Sequence, residues 1–268
     1  MRHVACFARR SYAAWLVVMP ILWAALSLGA AAGEPVLTPR AYLPAVAGAS
    51  IGCPEIPGES YSTLTVNPPP TDRPAELHAD LNLALRGYRL TDAYRGLVDY
   101  NGAGDPNAPQ LADLLADRRV PNFSNVYQVY DWDWSCNCRG APLTSPEVTL
   151  AGFETTPGET LHVPTSGYSI GSGYEVLVLY AAPTRITLKY TREDNVVYGY
   201  TIHVEGVCVE PTLLQLYNDW NAQGRSRLPA LRARQAFGTA IGSEIRVAIR
   251  DNGTFLDPRS RKDWWQGR

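Results

Sequence analysis

Asp131 and Asp133 alternate with Trp132 and Trp134 in the run Tyr130-Asp131-Trp132-Asp133-Trp134. Two acids spaced i, i+2 on an extended segment share one face, close to the separation of roughly 5–10 Å at which glycosidases hold their paired carboxylates. Tyr130, Trp132 and Trp134 share the opposite face. Exposed rings there would stack on the apolar faces of sugars, and buried ones would fill a core. Past residue 32 the histidines are His78, His162 and His203. No two are spaced i, i+2 or i, i+4, so no pair can chelate an ion from one strand or one helix face. A metal is not expected, and neither is a cofactor. Lys189 lies inside a strand between Leu188 and Tyr190, which excludes a lipoyl- or biotinyl-type carrier lysine at a turn tip.

The elements that must position these groups are mainly strands. Leu77–Leu85 alternates, with Leu77, Leu81, Leu83 and Leu85 on one face, and predicts a half-buried strand closed by Gly87. Asp105-Pro106-Asn107-Ala108-Pro109 reads as a loop, and Gln110–Asp117 as a short helix. An aromatic strand spans Asn125–Trp134. Tyr174–Tyr180 and Arg185–Tyr190 are β-rich, a polar turn covers Thr191–Asn195, and Val196–Val204 returns as a hairpin partner. Pro211 opens a helix with Leu213, Leu214, Tyr217 and Trp220 on one stripe, and Gly224 stops it. A final strand, Glu244–Arg250, precedes a turn at Asp251-Asn252-Gly253.

The N-terminus places Arg2, Arg9 and Arg10 before an apolar run from Ala13 to Ala32, which ends Ala30-Ala31-Ala32. That order predicts a secretory signal over residues 1–32, with an uncleaved membrane anchor as the rival. Its removal takes three of the 24 Lys and Arg and none of the 26 acids, leaving a mildly acidic chain. No nucleic-acid partner is expected, since that needs clustered positive charge. A membrane is expected only through a retained N-terminal anchor. The location is secreted or cell envelope. Four cysteines then remain, Cys53, Cys136, Cys138 and Cys208, an even number that suggests disulfides in an oxidising compartment. Cys136 and Cys138 sit one residue apart on a segment read as extended. They are expected to pair outward with Cys53 and Cys208 rather than with each other.

Two further stretches carry a family likeness. Gly158-Glu159-Thr160-Leu161-His162-Val163-Pro164-Thr165-Ser166-Gly167 matches a G-x-x-V-x-A-P-x-x-G strand and turn. Gln235-Ala236-Phe237-Gly238, then Glu244–Arg250, then Asn252-Gly253-Thr254-Phe255-Leu256-Asp257-Pro258 match a G-Q-x-I-G, a last core strand and an N-G-x-x-V-D-P tail. From about Val148 to Pro258 the chain therefore resembles the M23 peptidases, lysostaphin-like zinc endopeptidases that cut peptidoglycan cross-bridges. The resemblance implies a mostly β protein whose C-terminal half is a sandwich-hybrid hairpin domain with one short inserted helix, about 211–222. It also implies where the zinc chemistry would sit. The H-x-x-x-D positions hold Val148 and Gly152, the H-x-H positions hold Glu244 and Arg246, and the hairpin histidine position holds Tyr200. A three-residue shift offers His203 instead. A catalytic zinc needs about three protein ligands and an open water position, and none of the five matched residues is a zinc ligand of that family.

The organisation so read is a signal at 1–32, a Pro-rich tether at 33–75, a β-rich middle segment at 76–147 and an M23-like domain at 148–268. The expected function is non-catalytic binding of peptidoglycan, a surface glycan or an envelope protein in the family's former substrate groove. Tyr200, His203, Glu244, Arg246, Tyr130, Trp132 and Trp134 are its candidate contacts. The alternative is an active envelope hydrolase, a zinc endopeptidase using His203 or a glycan-cleaving enzyme using Asp131 and Asp133.

Overall fold

A computed structural model describes residues 52–268, so the expected signal and the start of the tether lie outside the described residues. Their order begins with β1 (Ser62–Thr65), a helical turn α1 (Leu83–Arg86), β2 (Tyr88–Leu90), β3 (Phe123–Asp133) and β4 (Cys138–Pro142). Next come β5 (Leu150–Glu154), β6 (Thr160–His162), β7 (Val176–Ala182), β8 (Arg185–Lys189), β9 (Tyr200–Glu205) and β10 (Val207–Val209). Helix α2 (Pro211–Ala222) is followed by β11 (Arg227–Leu231), β12 (Ala236–Ala240), β13 (Glu244–Asp251), β14 (Thr254–Leu256) and a short α3 (Arg261–Trp264). The mostly β expectation holds, as does the inserted helix. Glu210 caps α2 by accepting a hydrogen bond from Leu213 N at 2.8 Å, Pro211 occupies its first turn, and Gly224 follows with a φ of 87°.

One large antiparallel sheet runs β1-β11-β7-β8-β9-β13-β5-β3-β2, with β14 on β13 and β4 on β3. A second sheet runs β10-β12-β6. Strand β13 sets the geometry of everything that follows. Ile245, Val247 and Ile249 point into the main core with Ile202 and Val204 of β9 and Ile186 and Leu188 of β8. Burial of each contributes roughly 1.5–3 kcal/mol. By the two-residue period, the intervening side chains must all face the other side of the sheet. They are Arg185, Thr187 and Lys189 on β8, Thr201, His203 and Glu205 on β9, and Glu244, Arg246 and Arg250 on β13. The register aligns them in rows: Arg185, Glu205, Arg246 and Gly152 in one, Thr187, His203 and Ala248 in the next, Lys189, Thr201 and Arg250 in the third.

Three expectations are corrected. Leu77–Leu85 is no strand: it forms a 3-10 turn at Ala75–Leu77 and the single turn α1, with Leu81 and Leu83 buried and Leu77 61% exposed. Asn82 Nδ2 bonds Glu76 O, and the amides of Leu81 and Asn82 bond His78 O, so local bonds satisfy this backbone without a strand neighbour. The helix expected over Gln110–Asp117 is only a 3-10 turn, Leu111–Leu114. The cysteines pair as Cys53–Cys208 and Cys136–Cys138. The segment holding the last two is a tight turn, with Asn137 at a φ of 50°, so the two sulfurs face each other rather than outward. The longer bridge closes 155 residues and contributes about 5 kcal/mol by chain entropy, against under about 2 kcal/mol for the shorter. Part of the expected tether is anchored: β1 pairs with β11, and Cys53 is bonded into β10.

Candidate functional site

The polar face of the sheet carries the residues that the M23 alignment singles out. Glu244 and Arg246 are in contact, with Nε to Oε1 at 2.7 Å. Glu244 also accepts hydrogen bonds from Ser124 Oγ, from Asn125 Nδ2 at 2.8 Å and from Tyr127 Oη at 3.0 Å. Burial raises its carboxyl pKa, but these three donors and the Arg246 charge outweigh burial and hold it below the ordinary value. Arg246 donates to Tyr88 Oη at 3.0 Å, its guanidinium lies over the rings of Tyr88 and Tyr127, and Tyr88 Oη donates to Glu205 Oε2 at 3.0 Å. Gly152 completes the cluster by having no side chain, because a Cβ there would lie 2.5 Å from Glu244 Oε2. Val148, the other matched ligand position, is fully buried.

Residues 80–88 lie across this face. Asp80 Oδ1 is 2.7 Å from Arg86 Nη2 and 2.8 Å from Arg250 Nη1. Thr187 Oγ1 donates to Leu81 O at 2.7 Å, so toward His203 Nδ1, at 3.0 Å, that hydroxyl is the acceptor. His203 is therefore the neutral Nδ1–H tautomer, buried, with Nε2 unpartnered. Burial and then the Arg250 charge push its pKa down to about 3. Leu83, Tyr127, Val129, Leu150, Ala248 and Phe255 form a second small core beneath α1. The groove expected between the β8–β9 hairpin and β13 is thus filled by the chain itself, except at Glu244, which borders an open cavity of about 430 Å³ with Ser124, Asn125 and Glu154. Among the described residues no three or more His, Cys, Asp or Glu side chains converge as metal ligands.

The other expected contacts do not gather around Arg246. Tyr200 pairs with Asp251 while Arg246 pairs with Glu205, five positions along β9, or about 17 Å. Trp132 is half-buried, and Trp134, 41% exposed, borders a separate cavity of about 440 Å³ with Arg73, His78 and Asp80. Tyr130 lies on the pairing with β4. Asp131 is exposed, 3.5 Å from Arg86, and Asp133 caps the turn by accepting from Ser135 N and Oγ at 2.8 and 2.6 Å.

A larger cavity, about 760 Å³, lies elsewhere. It runs between the loop at residues 100–105, the loop at 144–147, β14 and the C-terminal α3. A second cavity of about 320 Å³ adjoins it, lined by Asp105, Tyr168, Thr191, Tyr200, Asp251 and Asn252. Asp105 and Tyr200 line both. The amide of Asn107 donates to Asp105 Oδ1 at 2.8 Å, which turns Oδ2 toward the hydroxyls of Tyr168 and Tyr200 at 2.7 and 2.9 Å. Burial opposes ionisation of Asp105, but the Tyr168 hydroxyl, the Asn107 amide and the Tyr200 hydroxyl prevail and lower its pKa. The Tyr200 ring packs edge-on against buried Trp264 at 5.6 Å. Tyr100, 43% exposed, donates to Asp257 Oδ2 at 2.7 Å, and Arg259 clamps the same carboxylate at 2.7 Å. Glu147, at the rim, is mostly exposed.

Of these residues the sequence singled out only Tyr200. Asp105 and Asp251 were visible as members of a loop and a turn, but nothing local says that 105, 200 and 251 meet. The C-terminal Trp264 and Trp265, both buried, seal one wall through indole bonds to Asp257 O and Pro258 O at 2.9 and 2.8 Å. No known protein family, curated protein or solved structure matches the chain.

Proposed function

We propose that this is an exported, non-catalytic binding protein that takes a polyhydroxylated polymer of the cell envelope, peptidoglycan or a surface glycan, in the double cavity at Tyr200. The observation that carries the reading is the sharing of Asp105 and Tyr200 by two adjoining cavities of about 760 and 320 Å³, a length suited to a chain ligand rather than one small molecule. Half-exposed tyrosine rings at 100 and 168 offer apolar faces to sugars, and Asp105, Glu147 and the hydroxyls of Thr144, Ser145 and Tyr200 offer hydrogen bonds. The resemblance to M23 peptidases belongs to this reading as ancestry. One zinc would need its ligands on neighbouring strands, and β5 and β13 are neighbours with Gly152 opposite Arg246. On this chain Glu244 and Arg246 neutralise each other and bind the protein's own tyrosines.

A glycan-cleaving reading has one observation in its favour. Burial raises the Asp251 carboxyl while Asp105, in the same smaller cavity, is lowered, and such a split is how acid and base roles are assigned. One experiment addresses both. The chain beginning at Gly33 is incubated with insoluble peptidoglycan and with neutral polysaccharide, and depletion and released reducing ends are measured. Depletion that weakens about tenfold in the Tyr100→Ala/Tyr168→Ala double variant, without reducing ends, supports binding alone; tenfold is about 1.4 kcal/mol. Reducing ends lost in Asp251→Asn would replace it with hydrolysis, and no depletion on any glycan would end both.

A further inference from the structure

The two disulfides are of opposite kinds. Cys53–Cys208 joins the N-terminal segment to a buried strand, with Cys208 only 5% exposed. Cys136–Cys138 closes a single intervening residue at the tip of the β3–β4 hairpin, and Cys136, Asn137 and Cys138 are all exposed. The hairpin does not need it. Asp133 pairs directly with Cys138, Trp132 with Arg139, and the Asp133 carboxylate holds the Ser135 amide and hydroxyl. Arg139 ties β4 to α1 through the carbonyls of Leu85 and Ala84 at 2.8 and 3.2 Å.

The surroundings suit exchange. Arg73 Nη1 donates to Asn137 Oδ1 at 2.7 Å, so a guanidinium, paired on its other edge with the exposed Asp72 carboxylate at 2.9 Å, sits beside the residue between the two sulfurs. A cation close to a cysteine favours its thiolate and makes it the better leaving group. The same guanidinium lies 4.8 Å from the ring of Trp134, which is 41% exposed and stands two residues before Cys136. Solvent-open sulfur, a cation and little topological work distinguish an exchangeable disulfide from a staple.

We propose that Cys136–Cys138 is a thiol–disulfide exchange site that takes two electrons from a dithiol peptide segment of another exported protein. The thiolate of the partner attacks one of the two sulfurs and breaks the S–S bond. A mixed disulfide forms, and the other cysteine departs as a thiolate that water protonates. The partner's second thiolate then attacks the mixed disulfide and releases the remaining cysteine. The partner leaves as a disulfide, Cys136 and Cys138 become thiols, and two electrons and two protons have moved, once per protein molecule.

The test uses the oxidised chain beginning at Gly33 and a synthetic peptide carrying a Cys-Gly-Pro-Cys dithiol, quenched by alkylation and read by mass spectrometry. The expected result is peptide oxidation matching Cys136 and Cys138 alkylation one for one, with that pair reduced roughly 100-fold faster than Cys53–Cys208, as access to sulfur dictates. The double variant Cys136→Ser/Cys138→Ser melts no more than about 5 °C below wild type and loses peptide oxidation. Reduction of both disulfides at one rate, a peptide that stays reduced, or a double variant whose melting temperature collapses would overturn the proposal.

Discussion

Strands β9 and β13 each serve two polar regions, and the chain treats them oppositely. On one face of the sheet, Glu205, Arg246, His203 and Arg250 meet Asp80, Tyr88 and Leu81 from the segment laid over them, and most of their polar atoms find partners within the chain, His203 Nε2 and Glu205 Oε1 excepted. With the opposite alternation, at the start of β9 and the end of β13, Tyr200 and Asp251 border open cavities, where Asp105 and the tyrosine hydroxyls retain lone pairs for something else. Buried charge that is fully paired is architecture, because losing one partner leaves the rest stranded. Half-open polar groups around exposed rings cost little to keep and are available to a ligand. The positions at which the M23-like pattern would place zinc ligands lie here in the sealed region, and the proposed ligand site lies in the open one.

The largest effect should come from Asp80, among the described residues the only carboxylate within salt-bridge reach of both Arg86 and Arg250. Asp80→Ala leaves buried Arg250 with only the Gly253 carbonyl and Arg86 with exposed Asp131 and backbone carbonyls, and should lower the unfolding free energy by about 3–5 kcal/mol in urea titration. A loss below about 1 kcal/mol would mean that this region is wetter than described. The native carboxyl also predicts an acid limb. Burial raises its pKa, but Arg250 and Arg86 bring it down to about 2 from an ordinary 3.8. Its stabilisation of about 2 kcal/mol is complete above pH 4 and is lost as pH falls through 2.

Gly152→Asp, the substitution that would place an M23-type ligand on β5, drives its Cβ to 2.5 Å from Glu244 Oε2 and adds a second carboxylate there. Overpacking of this kind costs about 1–3 kcal/mol. A variant as stable as wild type would show that Glu244 moves freely and that the region is less sealed.

His203 sharpens the contrast through pH. Its folded pKa is near 3, below the unfolded value near 6.5, so the unfolded chain takes up the proton first. Stability therefore falls as pH drops below 6.5, by about 2 kcal/mol between pH 7 and 5. His203→Asn should be less stable at pH 7 yet lose about that much of the slope. An unchanged slope would assign the acid sensitivity to other groups.

The smallest stability effect belongs to the open region. Tyr168→Phe removes one exposed hydrogen bond to Asp105 and should cost under about 1 kcal/mol of stability. It should nonetheless weaken glycan retention, and a variant that binds as wild type does would remove Tyr168 from the site.

Local pattern carried much of the C-terminal half, although the strand expected over Val196–Val204 begins only at Tyr200, after Gly199 at a φ of 64°. The alternation in Arg185–Tyr190 and Glu244–Arg250 fixed which side chains face the core, and Pro211 with Gly224 bounded α2. It failed where side chains compete with the backbone, at Leu77–Leu85, where Asn82 and His78 bond locally. It failed again at Cys136 and Cys138, where a left-handed Asn137 reverses the chain. The candidate site was the least legible part, because Asp105, Tyr168, Tyr200 and Trp264 are brought together only by long-range packing of loops and the C-terminus.

Amide chemical-shift mapping of the isotope-labelled chain beginning at Gly33, during addition of soluble peptidoglycan glycan fragments, tests the central claim most directly. The account predicts shifts clustered at Tyr100–Asp105, Thr144–Glu147, Tyr168, Tyr200 and Asp251, with Glu244–Ala248 unmoved. Shifts centred on Glu244, Arg246 and Tyr127 instead, with the Tyr200 cavities silent, would contradict it.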